Sequence, residues 1–328
     1  LDLVAGGAGF IGSHLAEALL ASGRRVRVLD DFSSGTIATL AAAEKDLRLE
    51  IVEGDGADAA TARSACVGVE RIFHLAARAS VPWSVAHPRE ALRANHGSTL
   101  ALLAAGAAAG ARAFGFSSSS AIYGERPELP KREDQAPDPR SPYAEHKLQG
   151  ELALREAARA GALAAVSLRY FNVFGPRQDP GSPYSGVISI FAEQARAGGP
   201  ATIFGDGQQT RDFVYVSDVV RANLLAAERL PRTPEDPAPA VNVGRGAAVT
   251  VLRLWELVCG AAGRAPVPQP QFVSPRAGDV RHSRADCARA AALLDWRAEV
   301  SLDEGLRRTL ASAAPPQDEH RAARDRQR

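Results

Sequence analysis

The chain has 328 residues, 45% of them hydrophobic, enough for a substantial core in one large or two medium domains. Its 39 Lys and Arg nearly cancel 38 Asp and Glu, leaving a net charge of +1, so no field of one sign points to nucleic acid or an anionic membrane as partner. Cys66, Cys259 and Cys287 are far apart without paired spacing, which argues against a disulfide framework or a zinc site, and no metal-ligand set is found. With no apolar run of 18 residues and no signal peptide, the expected setting is cytoplasmic. The chain opens at Leu1, almost inside the first strand and without any Met, so a few further residues are expected to precede it.

Short apolar runs alternate with helical patterns along the first part of the chain. Strands are predicted at 1–5, 26–30, 49–52, 71–76 and 113–117, with helices at 13–21, in an Ala-rich stretch before 71, and at 86–109. A long helix over 141–160 leads to a strand at 165–170. This β-α-β-α rhythm implies an α/β fold, a Rossmann-type doubly wound parallel sheet. Residues 175–186, rich in Gly and Pro, read as a functional loop. Then come a helix (187–197), strands (202–204 and 213–216) and a helix (217–229). A Pro-rich linker (232–239) follows, then a helix (249–262), an extended Pro-rich stretch (265–274), and closing helices (286–294 and 302–313). The expected division is a dinucleotide-binding domain over 1–170, to which 212–243 returns, and a smaller α/β substrate domain from 171–211 and 244–313. The charged tail 314–328 reads as disordered.

Gly6-Gly7-Ala8-Gly9-Phe10-Ile11-Gly12 lies between a predicted strand and helix. Gly6 suits the tight turn, Gly9 lets a pyrophosphate approach the backbone, and Gly12 lets helix and strand pack closely. The helix N-terminus offers free N–H groups to phosphate. Asp30, at the end of the second strand, suits the adenosine ribose hydroxyls and would repel a 2′-phosphate, so NAD is expected over NADP. Asp31 can share that role, and Asp55 in Gly54-Asp55 can meet the adenine. Two solvated loop acids are the plain alternative.

Tyr143 and Lys147, at i and i+4 behind Pro142, share one face of a helix. A nearby ammonium stabilises phenolate and lowers a phenol pKa from about 10, making Tyr143 a candidate general base. The run Phe116-Ser117-Ser118-Ser119-Ser120-Ala121-Ile122-Tyr123-Gly124 leaves a strand whose end should face the cofactor crevice. Standing alone, it would read as a Ser-rich turn.

Together with Phe73-His74-Leu75-Ala76-Ala77, Arg169-Tyr170-Phe171-Asn172, Arg211-Asp212-Phe213 and Arg276-Ala277-Gly278-Asp279, these motifs resemble the extended short-chain dehydrogenases/reductases. Within them they resemble the UDP-sugar 4-epimerases, over about residues 1–310. The resemblance implies that Ser119 bridges the sugar 4-hydroxyl to Tyr143. It implies that Tyr143 takes the proton while hydride passes from C4 to NAD, and that the 4-keto sugar turns over before hydride returns. Lys147 is implied to hold the nicotinamide ribose. Around the cofactor the resemblance places Phe10, Ile11, Ser34, Gly35, Gly56, Leu75, Ala76, Ala77, Asn95, Ser117 and Tyr170. Around the UDP-sugar it places Ser80, Asn172, Gly186, Val187 and Phe204, with Arg211 and Arg276 on the diphosphate and Asp279 on the uridine ribose. A surface salt bridge is the plain alternative for either arginine. Ala5 departs from the family's Thr before the glycines, and Arg78-Ala79 from an apolar residue and Lys. Whether Arg78 or Arg177 meets substrate is left open.

The Ser run separates the reactions of this fold. Sugar 4,6-dehydratases carry Asp-Glu where Ser120 and Ala121 stand, and UDP-glucuronate decarboxylases carry Glu in place of Ala121. GDP-sugar reductase-epimerases use a Cys after the serines. What remains is 4-epimerisation. Ser283 matches a gate beside C2 of the sugar, where a bulky Tyr restricts relatives to glucose and galactose. A small Ser leaves room for an N-acetyl group. Arg177-Gln178-Asp179-Pro180, Pro183-Tyr184-Ser185-Gly186-Val187-Ile188 and Arg276 to Ser283 match the UDP-N-acetylglucosamine/N-acetylgalactosamine subgroup. UDP-glucose/UDP-galactose is also allowed. UDP-glucuronate is the alternative substrate, dehydration or decarboxylation the less favoured reaction. A catalytically dead scaffold on this fold would be expected to lack Tyr143 or Lys147. By family analogy the partner is a second copy, a homodimer packed through the 86–109 and 141–160 helices.

Overall fold

The computed structural model describes residues 1–179, 186–229, 236–275 and 280–312. In chain order its first half comprises β1 (Asp2–Ala5), α1 (Phe10–Ala21), β2 (Val26–Asp30), β3 (Leu49–Glu53), α2 (Ala59–Cys66), β4 (Arg71–His74), α3 (Val81–Ala86), α4 (Pro88–Ala91), α5 (Ser98–Ala108), β5 (Ala113–Ser119), α6 (Pro142–Arg159) and β6 (Ala164–Tyr170). After these come β7 (Asn172–Phe174), α7 (Val187–Ala197), β8 (Thr202–Phe204), β9 (Thr210–Tyr215), α8 (Val216–Arg229), β10 (Ala240–Val243), β11 (Ala248–Thr250), α9 (Val251–Ala261), β12 (Gln271–Val273), α10 (Ala288–Leu294) and α11 (Leu302–Ala311).

Seven strands form one parallel sheet in the order β10-β6-β5-β4-β1-β2-β3. The order reverses at β1, so the crevice beyond the strand ends opens between β1 and β4. The inner strands are largely buried on both faces, whereas the edge strand β3 is only partly covered, and successive residues serve opposite layers. Leu3, Ile72 and Phe114 pack with Leu102 of α5 and Leu154 of α6. Val4, Val28 and Phe73 pack with Leu15 and Leu19 of α1 and Val220 of α8. The expected α/β, Rossmann-type architecture is the one observed.

The remaining strands form two small sheets, β11-β9-β7 and β12-β8. Around them lies a cluster of Phe174, Phe191, Phe213, Trp255 and Leu306. The indole of Trp255 donates to the Pro268 carbonyl at 2.8 Å.

Three local expectations need correction. The helix read over 86–109 is interrupted at His87, whose backbone leaves the helical region before Pro88. Residues Leu92–Gly97 then form a π-turn. Residues 248–250 belong to β11 rather than to the helix that follows, where Thr250 caps α9 by accepting from the Arg253 N–H at 3.1 Å. β7 and β10 were not anticipated. They are three and four residues long, β7 just after β6 and β10 just after the Pro-rich stretch, so neither stands out as a separate apolar run. The tail 314–328 lies outside the described residues.

Candidate functional site

The glycine turn leads from β1 into α1. Gly6 sits at φ +80°, and a Cβ on it would lie 2.5 Å from the Ala76 nitrogen. A Cβ on Gly12 would strike the Gly6 carbonyl, and one on Gly35 would lie 2.5 Å from the Ala8 carbonyl group. Only glycine fits these three places. Gly9 stands at the N-terminus of α1, and Phe10 and Ile11 open that helix, leaning on the C-terminal apolar cluster. Such a cradle fits a dinucleotide pyrophosphate against free N–H groups.

Asp30 closes the turn from the side. Its carboxylate accepts from the Ala8 and Phe32 N–H groups, each at 2.9 Å. Burial pushes its pKa up, against the pull of those two bonds. Asp31 faces outward, with the Arg78 guanidinium 3.7 Å away. Ser34 is exposed beside it. Leu75 is tied to β1 through its N–H on the Ala5 carbonyl at 2.8 Å, and Ala76 abuts Gly6. Ala77 continues that wall. Asn95, buried in the π-turn, grips Arg78 by its backbone: Oδ1 accepts from the N–H at 2.7 Å and Nδ2 donates to the carbonyl at 3.3 Å. Its amide thus fixes the backbone that follows Ala77. Asp55 accepts from the Ala57 N–H at 2.8 Å and pairs with Arg93 at 2.7 Å, while Gly56 lies against Leu29 and Leu102.

The Ser run ends β5, where Ser119 pairs in register with Tyr170 of β6. Helix α6 starts beside it. Ser141 caps the helix by accepting from the Ala144 N–H at 3.2 Å, and Pro142 occupies the first turn. Tyr143 follows directly, and it lines one cleft with Ser119. Burial raises its phenol pKa, and the neighbouring Ser119 side chain opposes that rise. The lowering expected from Lys147 is therefore not the net effect. The Lys147 ammonium donates instead to the Ser117 carbonyl at 2.6 Å, 5.8 Å from the Tyr143 ring centre, and burial lowers its pKa to about 7. Ser119 also accepts from the Ala121 N–H at 3.1 Å.

Ser119, Tyr143, Tyr170, Asn172, Arg211 and Ser283 line one cleft of about 310 Å³, with Ala79 and Val81 on either side of Ser80. Ser80 is buried and caps α3 through the Trp83 N–H at 3.2 Å. The Tyr170 hydroxyl is engaged by Asn223 of α8 at 2.9 Å. Asn172 donates to the Asp212 carbonyl at 3.1 Å, and Arg211 to the Thr210 carbonyl at 2.9 Å. Gly186 and Val187 lie at the start of α7, and Phe204 in β8 beside Val273. These three are not among the residues lining the cleft. Arg276, Asp279 and residues 180–185 lie outside the described residues.

The two open arginines have definite partners. Arg78 lies over the Trp83 ring, 5.7 Å from its centre, as well as against Asp31. Arg177 grips Glu17 of α1 at 2.7 Å and is not part of the cleft lining. The sequence reading missed Ser84, buried on α3. Its hydroxyl accepts from the Tyr143 N–H at 3.3 Å and so ties α3 to the start of α6. A lone Ser in Pro-Trp-Ser carries no local signal of that.

The family model described as the NAD dependent epimerase/dehydratase family matches residues 3–244. The UDP-glucose 4-epimerase of Mycolicibacterium smegmatis is 41% identical over 310 residues, which cover 94% of this chain and 96% of that protein. Two solved structures superpose with a TM-score of 0.87, each covering 94% of this chain. One is the UDP-N-acetylglucosamine 4-epimerase of Methanobrevibacter ruminantium in complex with UDP-N-acetylmuramic acid, 37% identical with 96% of its chain covered. The other is the UDP-glucose 4-epimerase of Thermotoga maritima with UDP-glucose, 40% identical with 97% covered.

Proposed function

The chain belongs to the NAD dependent epimerase/dehydratase family, and from that premise we propose that it is an NAD-dependent UDP-sugar 4-epimerase acting on UDP-N-acetylglucosamine and UDP-N-acetylgalactosamine. The observation that carries the reaction is the meeting of Ser119, Tyr143 and Lys147 at the end of β5, at the mouth of the glycine-lined crevice. Gly6, Gly9, Gly12 and Asp30 would hold the cofactor. Bound NAD supplies a hydride acceptor at C4 and the donor for its return.

Tyr143 accepts the 4-hydroxyl proton at its phenolic oxygen, and Ser119 holds the sugar oxygen and the phenol together by hydrogen bonds. Lys147 braces the strand end through the Ser117 carbonyl. Its positive charge favours the phenolate when it is protonated. Proton return from Tyr143 completes the inversion.

The buried Ser283 supports the choice of sugar. Ser283 lines the cleft and is anchored by its N–H on the Thr210 carbonyl at 3.1 Å. A short side chain there leaves room for a C2 acetamido group. Arg211 lines the same cleft and suits the diphosphate. We read 171–211 and 244–313 as the sugar-nucleotide part and 1–170 with 212–243 as the cofactor part. A homodimer is supported by exposed Leu92, Leu100 and Leu152 on the π-turn, α5 and α6. Light scattering at twice the chain mass is the expected result, and a monomer rejects it.

Proton NMR of the protein with UDP-N-acetylglucosamine, UDP-glucose and UDP-glucuronate, each alone, tests the reading. Conversion of the N-acetyl sugar to its 4-epimer is expected. Conversion of only one of the others removes the argument from Ser283, and conversion of none removes the activity.

A further inference from the structure

Three side chains of α6 reach the end of β5. They stand at positions 143, 147 and 151, one helical face at i, i+4 and i+8. Tyr143 shares the cleft with Ser119, and Lys147 donates to the Ser117 carbonyl. Between them along the strand, Ser118 donates to Glu151 Oε1 at 2.5 Å. The first two contacts belong to the site above. The third has no part in the chemistry described so far.

Glu151 is itself clamped. Arg169 donates to it through Nε at 2.9 Å and through Nη2 at 2.7 Å, with the two side chains only 5% and 6% exposed. Arg169 Nη1 also donates to the Tyr123 hydroxyl at 3.0 Å, and that hydroxyl donates to Asn242 Oδ1 at 2.6 Å. Asn242 Nδ2 donates to the carbonyls of Lys131 at 2.9 Å and Asp286 at 3.1 Å. The chain of bonds thus runs from the Ser run to the segment that carries Ser283.

A buried ion pair is a poor source of stability, because desolvation offsets most of its attraction. A network in which each member is satisfied fixes geometry instead. Neighbouring residues of a strand project to opposite faces. With Ser118 tethered to Glu151, Ser119 is turned into the cleft that it lines.

We infer that the Glu151–Arg169 pair is a positioning element for the reaction: it locks Ser118 against α6 and so holds Ser119 in register with Tyr143. This rests on the reading of Ser119 and Tyr143 as the reacting pair. A pair serving only the fold would leave catalysis per folded molecule unchanged when replaced by apolar groups.

The test uses Ser118→Ala, Glu151→Gln, Arg169→Lys and the double variant Glu151→Leu/Arg169→Met in the full chain. Kinetics use the UDP-sugar that the unaltered protein turns over. The Tyr143 phenol is titrated at 295 nm against each variant's Tyr143→Phe form, a readout that needs no turnover. Expected are a fall in kcat of about tenfold or more for Glu151→Gln and the double variant, and a smaller fall for Ser118→Ala. KM stays within about threefold, Arg169→Lys restores part of the rate, and the phenol titrates higher as Ser119 shifts away from it. Unchanged kcat and unchanged phenol titration in Ser118→Ala and Glu151→Gln overturn the inference. Failure of the unaltered protein on every UDP-sugar is a separate result, against the functional reading, and leaves the titration to judge this one.

Discussion

Between β1 and β4 the crevice is shaped by backbone, whereas beyond β5 it is shaped by side chains from distant segments. On the cofactor side Gly6, Gly12 and Gly35 admit no Cβ, and Asp30 spends its carboxylate on two backbone N–H groups. On the sugar side Ser119, Tyr143, Asn172, Arg211 and Ser283 converge from five parts of the chain. The first region excludes any side chain at three positions, and none of the residues proposed to react belongs to it. The second can change its substrate while keeping its fold. A single scaffold can therefore serve many sugars by alteration of one side of the crevice.

The largest effect should come from the reacting group itself. Tyr143→Phe is expected to lower kcat by about 10²–10⁴-fold, the usual span for a lost general base, with the thermal transition little changed. A variant that keeps near-normal turnover would place the base elsewhere. Next comes the sugar wall. Ser283→Tyr should cut kcat/KM for UDP-N-acetylglucosamine by about 10–200-fold and leave UDP-glucose nearly unaffected. Equal losses on both sugars would show general damage instead.

The cofactor side should respond differently. In Gly12→Ala the new methyl meets the Gly6 carbonyl. It should weaken NAD binding more than it alters KM for the sugar, with an overpacking cost of about 1–3 kcal/mol read by thermal unfolding. Unchanged cofactor content in the purified variant would contradict the cradle.

Confined to low pH, and so absent under ordinary assay conditions, is an acid sensitivity seated beneath the crevice. His74 is fully buried, its Nε2 2.9 Å from Thr99 Oγ1, and burial lowers its pKa to about 3 from an ordinary 6.5. The unfolded chain binds this proton between those two values and the folded chain does not. Stability from His74 is thus whole above pH 6.5 and is lost as pH falls towards 3. Thermal unfolding against pH should show that slope, and His74→Gln should flatten it. The least effect is expected at Arg177, whose half-exposed pair with Glu17 lies outside the cleft lining. Arg177→Met should change stability by less than about 1 kcal/mol and leave kcat as it was.

The same contrast decides what could be read from the chain. The glycine turn is contiguous, and its need for glycine follows from local sterics, so its place between β1 and α1 was legible directly. The strands at 26–30 and 202–204 and the helix at 187–197 likewise occur with the expected bounds. Tyr143 and Lys147 were legible as a helical pair. Their third companion, Glu151, has the spacing but an acidic residue on a helix reads as solvated unless its partners are known. Ser118 and Arg169 come from two different strands. The break at His87 and the π-turn that follows were hidden in a run of good helix formers. The phenol shift at Tyr143 depends on burial, which the order of residues alone does not give.

In the proposed reaction C4 is inverted by removal and return of the same hydrogen within one crevice. The most direct test is turnover of UDP-N-acetylglucosamine and UDP-glucose carrying deuterium at C4, followed by NMR of the products. The account predicts a 4-epimer that keeps the deuterium at C4, with none lost to solvent. Loss of the label to water, or no 4-epimer from either sugar, would contradict it.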